Sequence, residues 1–247
     1  MKNLAIQRPA LFAVIVLLVL EAIVLGALLL SNLAGIPLLS LDLPMLLLNA
    51  VFAVILISVM RWWKETGFNT PSQWKNLRFL IIPLALLIGP TLFLQPQFPS
   101  LDRAIILVIV TLLIGFQEEA IFRGVLLRTF MPRGAMRAVL ISAVLFGIIH
   151  ASSFLVGRDP MFVMSQIVAS FLGAIGLGAL RIRTNTIVPL VLLHALNDFL
   201  QFSATGGLEA GEVASYIPIL KIVISGLMAL YGLYLLRGYR DDTRTSE

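Results

Sequence analysis

Cysteine is absent from this 247-residue chain, and charged residues are scarce, at 13% of the total. The missing cysteines exclude a disulfide framework, a cysteine nucleophile and a cysteine-based metal site. Soluble domains usually contain about 25% charged and about 45–50% apolar residues. This chain is 59% hydrophobic, with a mean hydropathy of +0.99. The composition therefore predicts a polytopic membrane protein of the all-α class.

Apolar runs of about 20 residues are long enough to cross a bilayer as helices. Eight such runs are predicted, at about 10–31, 41–60, 79–95, 103–127, 138–156, 160–180, 186–203 and 214–236. The first run is longer than the apolar core of a signal peptide, so it is interpreted as an uncleaved helix; its Glu21 has no assigned role. We expect one transmembrane domain over residues 1–236, with a motif-bearing core at about 103–203. A short polar cytoplasmic tail at 237–247 is expected to follow.

The positive charges of the chain follow its predicted topology. The net charge is +5, which by itself would be compatible with a nucleic-acid partner. With eight spans and a cytoplasmic N-terminus, however, the outside segments hold only three of the 18 lysines and arginines. These three are Arg103, Arg158 and Lys221. This bias predicts that both termini are cytoplasmic. We therefore expect the protein to lie in a lipid bilayer, that of a prokaryotic plasma membrane, and to bind no nucleic acid. The sequence indicates no oligomeric state.

Both histidines of the chain lie inside predicted spans, together with several carboxylates. Measured from the nearest cytoplasmic arginine at ~1.5 Å per helical residue, Glu118 lies ~15 Å deep, His150 ~20 Å and His194 ~17 Å. The hydrocarbon core is about 30 Å thick, so all three lie near its middle. Ionisable residues within a membrane are by default functional-site candidates that face the bundle interior. The sequence therefore predicts that polar side chains from three separate helices meet at one site.

The segment "QEEAIFRG" at 117–124 contains three ionisable groups. An α-helix would turn Glu118 and Glu119 about 100° apart, so both could not face one site equally. Glu119 and Arg123 stand at i, i+4 with the acid first, the favourable order for an ion pair. We expect that pair to be structural. Glu118, which has no local partner, is the candidate general base.

The segment "HALND" places His194 and Asp198 at i, i+4 on one helix face. Such a pair could orient a water, hold a metal or bind a substrate carbonyl. Asn197 points elsewhere and is assigned to packing or to a helix–helix hydrogen bond. Phe146, on an apolar helix, is likewise expected to pack.

The segments "EEAIFRG", "FGIIH" and "HALND" resemble the EExxxR, FxxxH and HxxxN or HxxxD motifs of the CAAX protease and bacteriocin-processing family of intramembrane proteases. The resemblance implies hydrolysis of a peptide bond inside the membrane. Eukaryotic members, the type II CAAX prenyl endopeptidases, remove three C-terminal residues after a prenylated cysteine, and some prokaryotic members are linked to bacteriocin maturation or self-immunity. Asp198 departs from the prenyl endopeptidases, which usually carry asparagine there, but aspartate occurs in the wider family. The residues that match the motifs are Glu118, Glu119, Arg123, Phe146, His150, His194 and Asp198.

Two mechanisms remain open for this set of residues. In the first, Glu118 and His150 deprotonate a water. His194 with Asp198 then stabilises the tetrahedral intermediate or positions the scissile carbonyl. In the second, His150, His194 and either Glu118 or Asp198 bind a divalent metal such as Zn²⁺. In both, the expected partner is a membrane protein or a lipidated peptide, and Glu119, Arg123, Phe146 and Asn197 give structural support.

Two further classes of protein could use the same residues. A proton-coupled transporter also places Glu and His near the middle of the membrane. The sequence shows no inverted repeat and no pair of interrupted helices, which argues against this class. A non-catalytic membrane scaffold or immunity protein is the other alternative.

Overall fold

The computed structural model describes residues 1–94, 99–205, 216–237 and 239. Within these ranges every regular element is a helix, which confirms the predicted all-α class. The α-helices are α1 (Lys2–Gln7), α2 (Pro9–Ala34), α3 (Asp42–Met60), α4 (Ile81–Leu94), α5 (Leu101–Glu118), α6 (Leu127–Phe130), α7 (Ala135–Ile149), α8 (Pro160–Thr184), α9 (Val188–Thr205) and α10 (Tyr216–Leu236). A π-helix joins α5 to α6, and short 3₁₀ segments lie at Leu38–Leu41, Trp74–Leu80, Met131–Arg133 and His150–Phe154.

Six helical stretches of the described residues are long and apolar enough to cross a membrane. Their outward surfaces carry many exposed large apolar side chains, as expected for contact with lipid. The predicted spans 79–95 and 186–203 also contain helices, but α4 has only 14 residues and α9 carries several polar side chains. The chain is therefore a multi-pass membrane protein, and the total of eight spans stays a prediction. The six stretches are Pro9–Ala34, Asp42–Met60, Leu101–Arg133, Ala135–Phe154, Pro160–Thr184 and Pro218–Leu236.

Two of the three cations assigned to outside segments lie near the starts of helices. Lys221 lies inside α10, within a stretch that could cross the membrane, and Arg103 lies in the first turn of α5. Lys221 thus lies five residues after the start of α10, within the predicted span 214–236. The cytoplasmic location of both termini stays a prediction. The predicted tail, 237–247, lies outside the described residues apart from positions 237 and 239.

The ends of α8 follow from its local sequence. Asp159 caps the N-terminus, since its Oδ1 accepts a hydrogen bond of 2.9 Å from the backbone N–H of Phe162. Pro160 takes the first helical position, where a missing N–H costs nothing. Asn185 ends the helix in the left-handed conformation, with φ +53°, which asparagine tolerates better than most residues.

Helix α8 packs against α10 on one side and α7 on another. Its contact with α10 is very close at Gly176, where an added Cβ would lie 2.8 Å from the carbonyl oxygen of Met228. On the side of α7, a Cβ added to Gly178 would lie 3.1 Å from Val139. Small residues allow this close approach of membrane helices, where van der Waals packing replaces the hydrophobic effect between helices. The packing places α7, α8 and α10 around one side of the polar site.

Helix α5 packs against α9, and this contact sets the distance between the first and third motifs. A Cβ added to Gly115 would lie 2.7 Å from the carbonyl oxygen of Val191 and 3.1 Å from the backbone nitrogen of Ala195. Gly115 precedes Glu118 by three residues, and Ala195 follows His194. The glycine therefore lets the two backbones approach at the level of the motif side chains.

The loop after α3 is tied to the turn between α8 and α9. Arg181 donates hydrogen bonds from Nε to the carbonyl of Thr66, at 3.1 Å, and from Nη2 to the carbonyl of Glu65, at 3.0 Å. The backbone N–H of Ile187 donates to the carbonyl of Gly67 at 2.9 Å. Because Ile187 directly precedes α9, these bonds fix the start of the helix that carries the third motif.

Candidate active site

The first motif lies on a π-helix rather than an α-helix. After Glu118 the helix widens to i→i+5 hydrogen bonding over Glu119–Leu126, and all eight of these residues are buried. Ser142 of α7 donates a hydrogen bond of 2.7 Å from its Oγ to the carbonyl of Phe122, which supplies one π-helix carbonyl with a partner. π-Helical turns are rare and occur frequently at functional sites.

Glu119 and Arg123 form the ion pair that their spacing predicts. Arg123 Nη1 lies 3.2 Å from Glu119 Oε1, and the two side chains are 1% and 0% exposed. The Arg123 guanidinium also lies over the ring of Phe146, with Cζ 4.1 Å from the centroid. A carboxylate and an aromatic face thus both neutralise one fully buried cation.

His194 lies among three carboxylates. Its Nδ1 is 2.8 Å from Glu119 Oε1, which makes a hydrogen bond from the ring N–H to the carboxylate. Its Nε2 is 3.4 Å from Glu118 Oε2 and 3.6 Å from Asp198 Oδ2. His194 therefore links the first motif to the third, and a water or a peptide carbonyl beside Nε2 would meet the other two carboxylates.

The two glutamates, which were not expected to face one site equally, approach the same histidine in different ways. Glu118 and Glu119 both contact His194, on different ring nitrogens. Two features account for this: the helix changes from α to π between these residues, and an imidazole presents nitrogens on two edges. Glu118 is nevertheless distinct, because its side chain is 24% exposed whereas that of Glu119 is 0% exposed. Of the pair, Glu118 is the carboxylate that water can reach.

Asn197 orients Asp198. Its Nδ2 donates a hydrogen bond of 3.1 Å to Asp198 Oδ1, while Asp198 Oδ2 faces His194. The assignment of Asn197 to packing or to a bond with another helix missed this contact, because neighbours in a helix point about 100° apart and are not expected to meet. The Asp198 carboxylate is thus held on one side by an amide and on the other by an imidazole.

His150 reaches the site through Phe146 rather than through an ion pair. Its Nδ1 lies 2.7 Å from the carbonyl oxygen of Phe146, so this nitrogen carries the hydrogen and donates it. Nε2 is then left as an acceptor and lies 3.5 Å from Ser170 Oγ. The Phe146 ring packs edge-on against His150, at 4.8 Å, and against His194, at 6.3 Å between centroids. Phe146 therefore sets the spacing between the two histidines.

The predicted metal ligands are His150, His194 and Glu118 or Asp198. In the described part of the chain, no group of three or more His, Cys, Asp or Glu side chains is arranged to hold a metal ion. The nitrogens of His194 already face carboxylates, and Nδ1 of His150 faces a backbone carbonyl. A metal-binding histidine commonly donates its other ring N–H in the way that both Nδ1 atoms do here, so metal binding by these residues stays a prediction, and no catalytic step is derived through a metal.

Sequence reasoning missed the place of two further polar residues. The side chain of Glu21, which was given a structural or unknown role, lies near that of Ser152, two residues beyond His150. Lys221, assigned to an outside segment, interacts electrostatically with Asp198 and with His150. Each is a single charge in an apolar run, and that is the signal that could have marked both for attention.

Residues 100–200, which contain all three motifs, match the family model described as type II CAAX prenyl endopeptidase Rce1-like. No curated protein and no solved structure matches the chain. The matched segment begins one residue before α5 and ends within α9, so it spans every motif residue described above. The matched segment is thus similar to an Rce1-like domain, in agreement with the resemblance of the three motifs to the CAAX protease and bacteriocin-processing family.

Proposed function

We propose that the protein is an intramembrane endopeptidase that hydrolyses a peptide bond with a water activated by Glu118. The match of residues 100–200 to the Rce1-like family model supports a CAAX-protease-like activity. The observation that carries the mechanism is the contact of Glu118 with His194. Glu118, the more exposed of the two glutamates, contacts this histidine, and the buried Glu119–Arg123 pair holds the histidine in place. A general base must reach both water and substrate, and of the two glutamates Glu118 is the one with that access.

In the proposed reaction, Glu118 takes a proton from water while the water oxygen bonds to the scissile carbonyl carbon. His150 presents Nε2 as a second acceptor that orients this water. His194 acts as an imidazolium: its Nδ1–H is donated to Glu119, its Nε2–H is donated to the oxyanion of the tetrahedral intermediate, and Asp198 lies beside that edge of the ring. When the carbon–nitrogen bond breaks, Glu118 returns the proton to the leaving amine.

The proposed substrate is a membrane protein or a lipidated peptide. The motif side chains lie on helices whose outer surfaces are apolar, so a substrate with a lipid or a hydrophobic segment could approach from the bilayer. A prokaryotic plasma membrane is the proposed location. Metal assistance by His150, His194 and Glu118 is the second proposal for the mechanism, and chelation separates it from the first.

The decisive comparison uses the full chain, purified in detergent, and a fluorogenic peptide with a farnesylated cysteine four residues from its C-terminus. We expect Glu118→Gln to lower the rate of cleavage by about 10²–10⁴-fold, the usual contribution of a general base. Glu65→Gln is the matched control, since Glu65 is an exposed glutamate of the loop after α3. Cleavage at the wild-type rate by Glu118→Gln would refute the assignment of the base.

A second arm does not depend on one synthetic peptide. Membranes of cells that produce wild-type protein or Glu118→Gln can be compared by mass spectrometry of protein C-termini. New C-termini that require Glu118 would identify the natural substrates. If wild type and Glu118→Gln give the same set of C-termini and neither cleaves the peptide, the scaffold or transporter alternatives would replace the peptidase.

A further inference from the structure

The 3₁₀ helix at Trp74–Leu80 leads from the loop after α3 into α4, and the proposed mechanism uses none of its side chains. Two hydrogen bonds hold it against the helices. Asn76 donates from Nδ2 to the carbonyl of Arg183 at 2.9 Å. The hydroxyl of Tyr231, on α10, donates to the carbonyl of Phe79 at 3.0 Å. Because Arg183 belongs to the last turn of α8, the 3₁₀ helix is fixed where α8 ends.

Two cations project from one face of this 3₁₀ helix. Side chains at i and i+3 of such a helix eclipse each other, and each residue advances the helix by about 2 Å. Lys75 and Arg78 have this spacing, so their side chains begin about 6 Å apart on one face, and both are exposed. The Arg78 guanidinium lies over the Phe79 ring, with Cζ 5.3 Å from the centroid, which is an aromatic contact and not a counter-ion.

Neither cation has a carboxylate partner. In the part of the chain that the structure describes, no ion pair includes Lys75 or Arg78. Residues 61–80 contain four basic side chains and a single acidic one, Glu65. Two like charges on one helix face repel each other, and an anion bound between them would replace that repulsion by attraction.

A second face of the same 3₁₀ helix is apolar and continues into a surface suited to lipid. Trp74, Leu77 and Leu80 share this face at the i, i+3 spacing. Leu80 packs on the hydrophobic core, whereas Trp74 is 69% exposed. Ile81 and Ile82, which begin α4, are 65% and 45% exposed. Since exposed tryptophan is enriched at the level of the lipid headgroups, the basic face lies where water meets hydrocarbon.

We propose that Lys75 and Arg78 bind the phosphate of an anionic phospholipid. The ammonium and the guanidinium donate hydrogen bonds to the phosphate oxygens, the Trp74 ring lies beside the glycerol backbone, and the acyl chains follow the exposed isoleucines of α4. Basic clusters next to membrane helices recognise anionic lipids in this way. A zwitterionic lipid fits less well, because its own ammonium would meet two cations. This lipid site does not depend on the proposed peptidase function.

Native mass spectrometry of the full-length protein tests the site. The protein is released from detergent micelles that hold equal amounts of phosphatidylglycerol and phosphatidylcholine with identical acyl chains. We expect wild type to retain more phosphatidylglycerol, and Lys75→Gln/Arg78→Gln to lower the ratio of the two retained lipids by about tenfold or more, since one basic residue at an anionic surface contributes about fivefold. Lys75→Arg should preserve the ratio. Trp74→Leu should weaken retention of both lipids without changing their ratio.

The matched control is Lys2→Gln/Lys64→Gln, which removes the same charge from two exposed lysines elsewhere and should leave the ratio unchanged. Size-exclusion profiles and thermal unfolding midpoints confirm that each variant is folded. Separate arms add an excess of inorganic phosphate or of glycerol 3-phosphate, and we expect neither to displace the lipid. A ratio that survives Lys75→Gln/Arg78→Gln, or one that the control lowers equally, would overturn the site. Displacement by either soluble phosphate would assign the two cations to a soluble anion and overturn the lipid as the ligand.

Discussion

Glu119 Oε1 lies 2.8 Å from His194 Nδ1 and 3.2 Å from Arg123 Nη1, so one fully buried oxygen serves both a histidine and an arginine. The ion pair within the first motif and the orientation of the histidine in the third motif are therefore one network. Glu118 approaches the same histidine from its other nitrogen, at 3.4 Å, with a side chain that is partly exposed. The two adjacent glutamates thus differ in burial, in partners and in the consequences expected from their loss.

The first prediction separates these two glutamates. Glu119→Gln removes the negative charge between Arg123 and His194 and leaves a buried guanidinium without its counter-ion. Breaking a buried pair in this way is expected to cost about 3–5 kcal/mol of stability. Glu118→Gln should lower the rate of cleavage by about 10²–10⁴-fold while the unfolding midpoint in detergent stays within a few degrees of wild type. Thermal unfolding followed by circular dichroism, with Glu65→Gln as control, measures both. Similar stability losses for the two variants would contradict the division of roles.

The second prediction concerns the distance between α5 and α9. Gly115→Ala places a methyl group 2.7 Å from the carbonyl oxygen of Val191, which is too close for the present packing. We expect a loss of about 1–3 kcal/mol, as for other overpacked sites. Cleavage should fall as well, because the shift separates Glu118 from His194. Gly26→Ala is the matched control, since no atom lies within 4 Å of its added Cβ. Equal activity of Gly115→Ala and Gly26→Ala would show that this contact does not set the site.

The third prediction tests how Asp198 is used. Asp198→Asn keeps an oxygen that can accept the hydrogen bond from Asn197, and it keeps the shape of the side chain. We expect this variant to retain cleavage within about tenfold of wild type, whereas Asp198→Leu loses the hydrogen bond and the contact with His194 and should be inactive. The measurement is kcat/KM on the farnesylated peptide. Inactive Asp198→Asn would instead indicate that the negative charge of Asp198 is essential.

The fourth prediction distinguishes the two mechanisms. Because no group of three or more ligating side chains in the described ranges is arranged around a common ion, we expect cleavage to survive prolonged exposure to EDTA and to 1,10-phenanthroline. Elemental analysis of the purified active protein should then show no stoichiometric transition metal. Inactivation by both chelators, reversed by added Zn²⁺, would favour the metal-assisted mechanism and would require His150, His194 and Glu118 to rearrange.

Much of this protein could be predicted from local features of the chain. Apolar runs predict membrane helices because burying backbone polar groups in lipid requires them to be paired within the helix. The i, i+4 spacing of Glu119 and Arg123 predicts their ion pair because one helical turn brings such residues together. The order of the three motifs was enough to indicate a resemblance to the family, and the motifs named the candidate site residues.

The tertiary structure decided how these residues meet. His194 and Glu119 are separated by 75 positions in the chain, and their contact depends on the rotation of α9 against a π-helix that no periodicity indicated. The same holds for Lys221, whose Nζ lies 5.9 Å from the centroid of the Phe162 ring because α10 packs on α8. Hydropathy and spacing act within one helix and therefore determine its existence and approximate depth. The direction in which each polar side chain points, and what it touches, depends on the packing between helices.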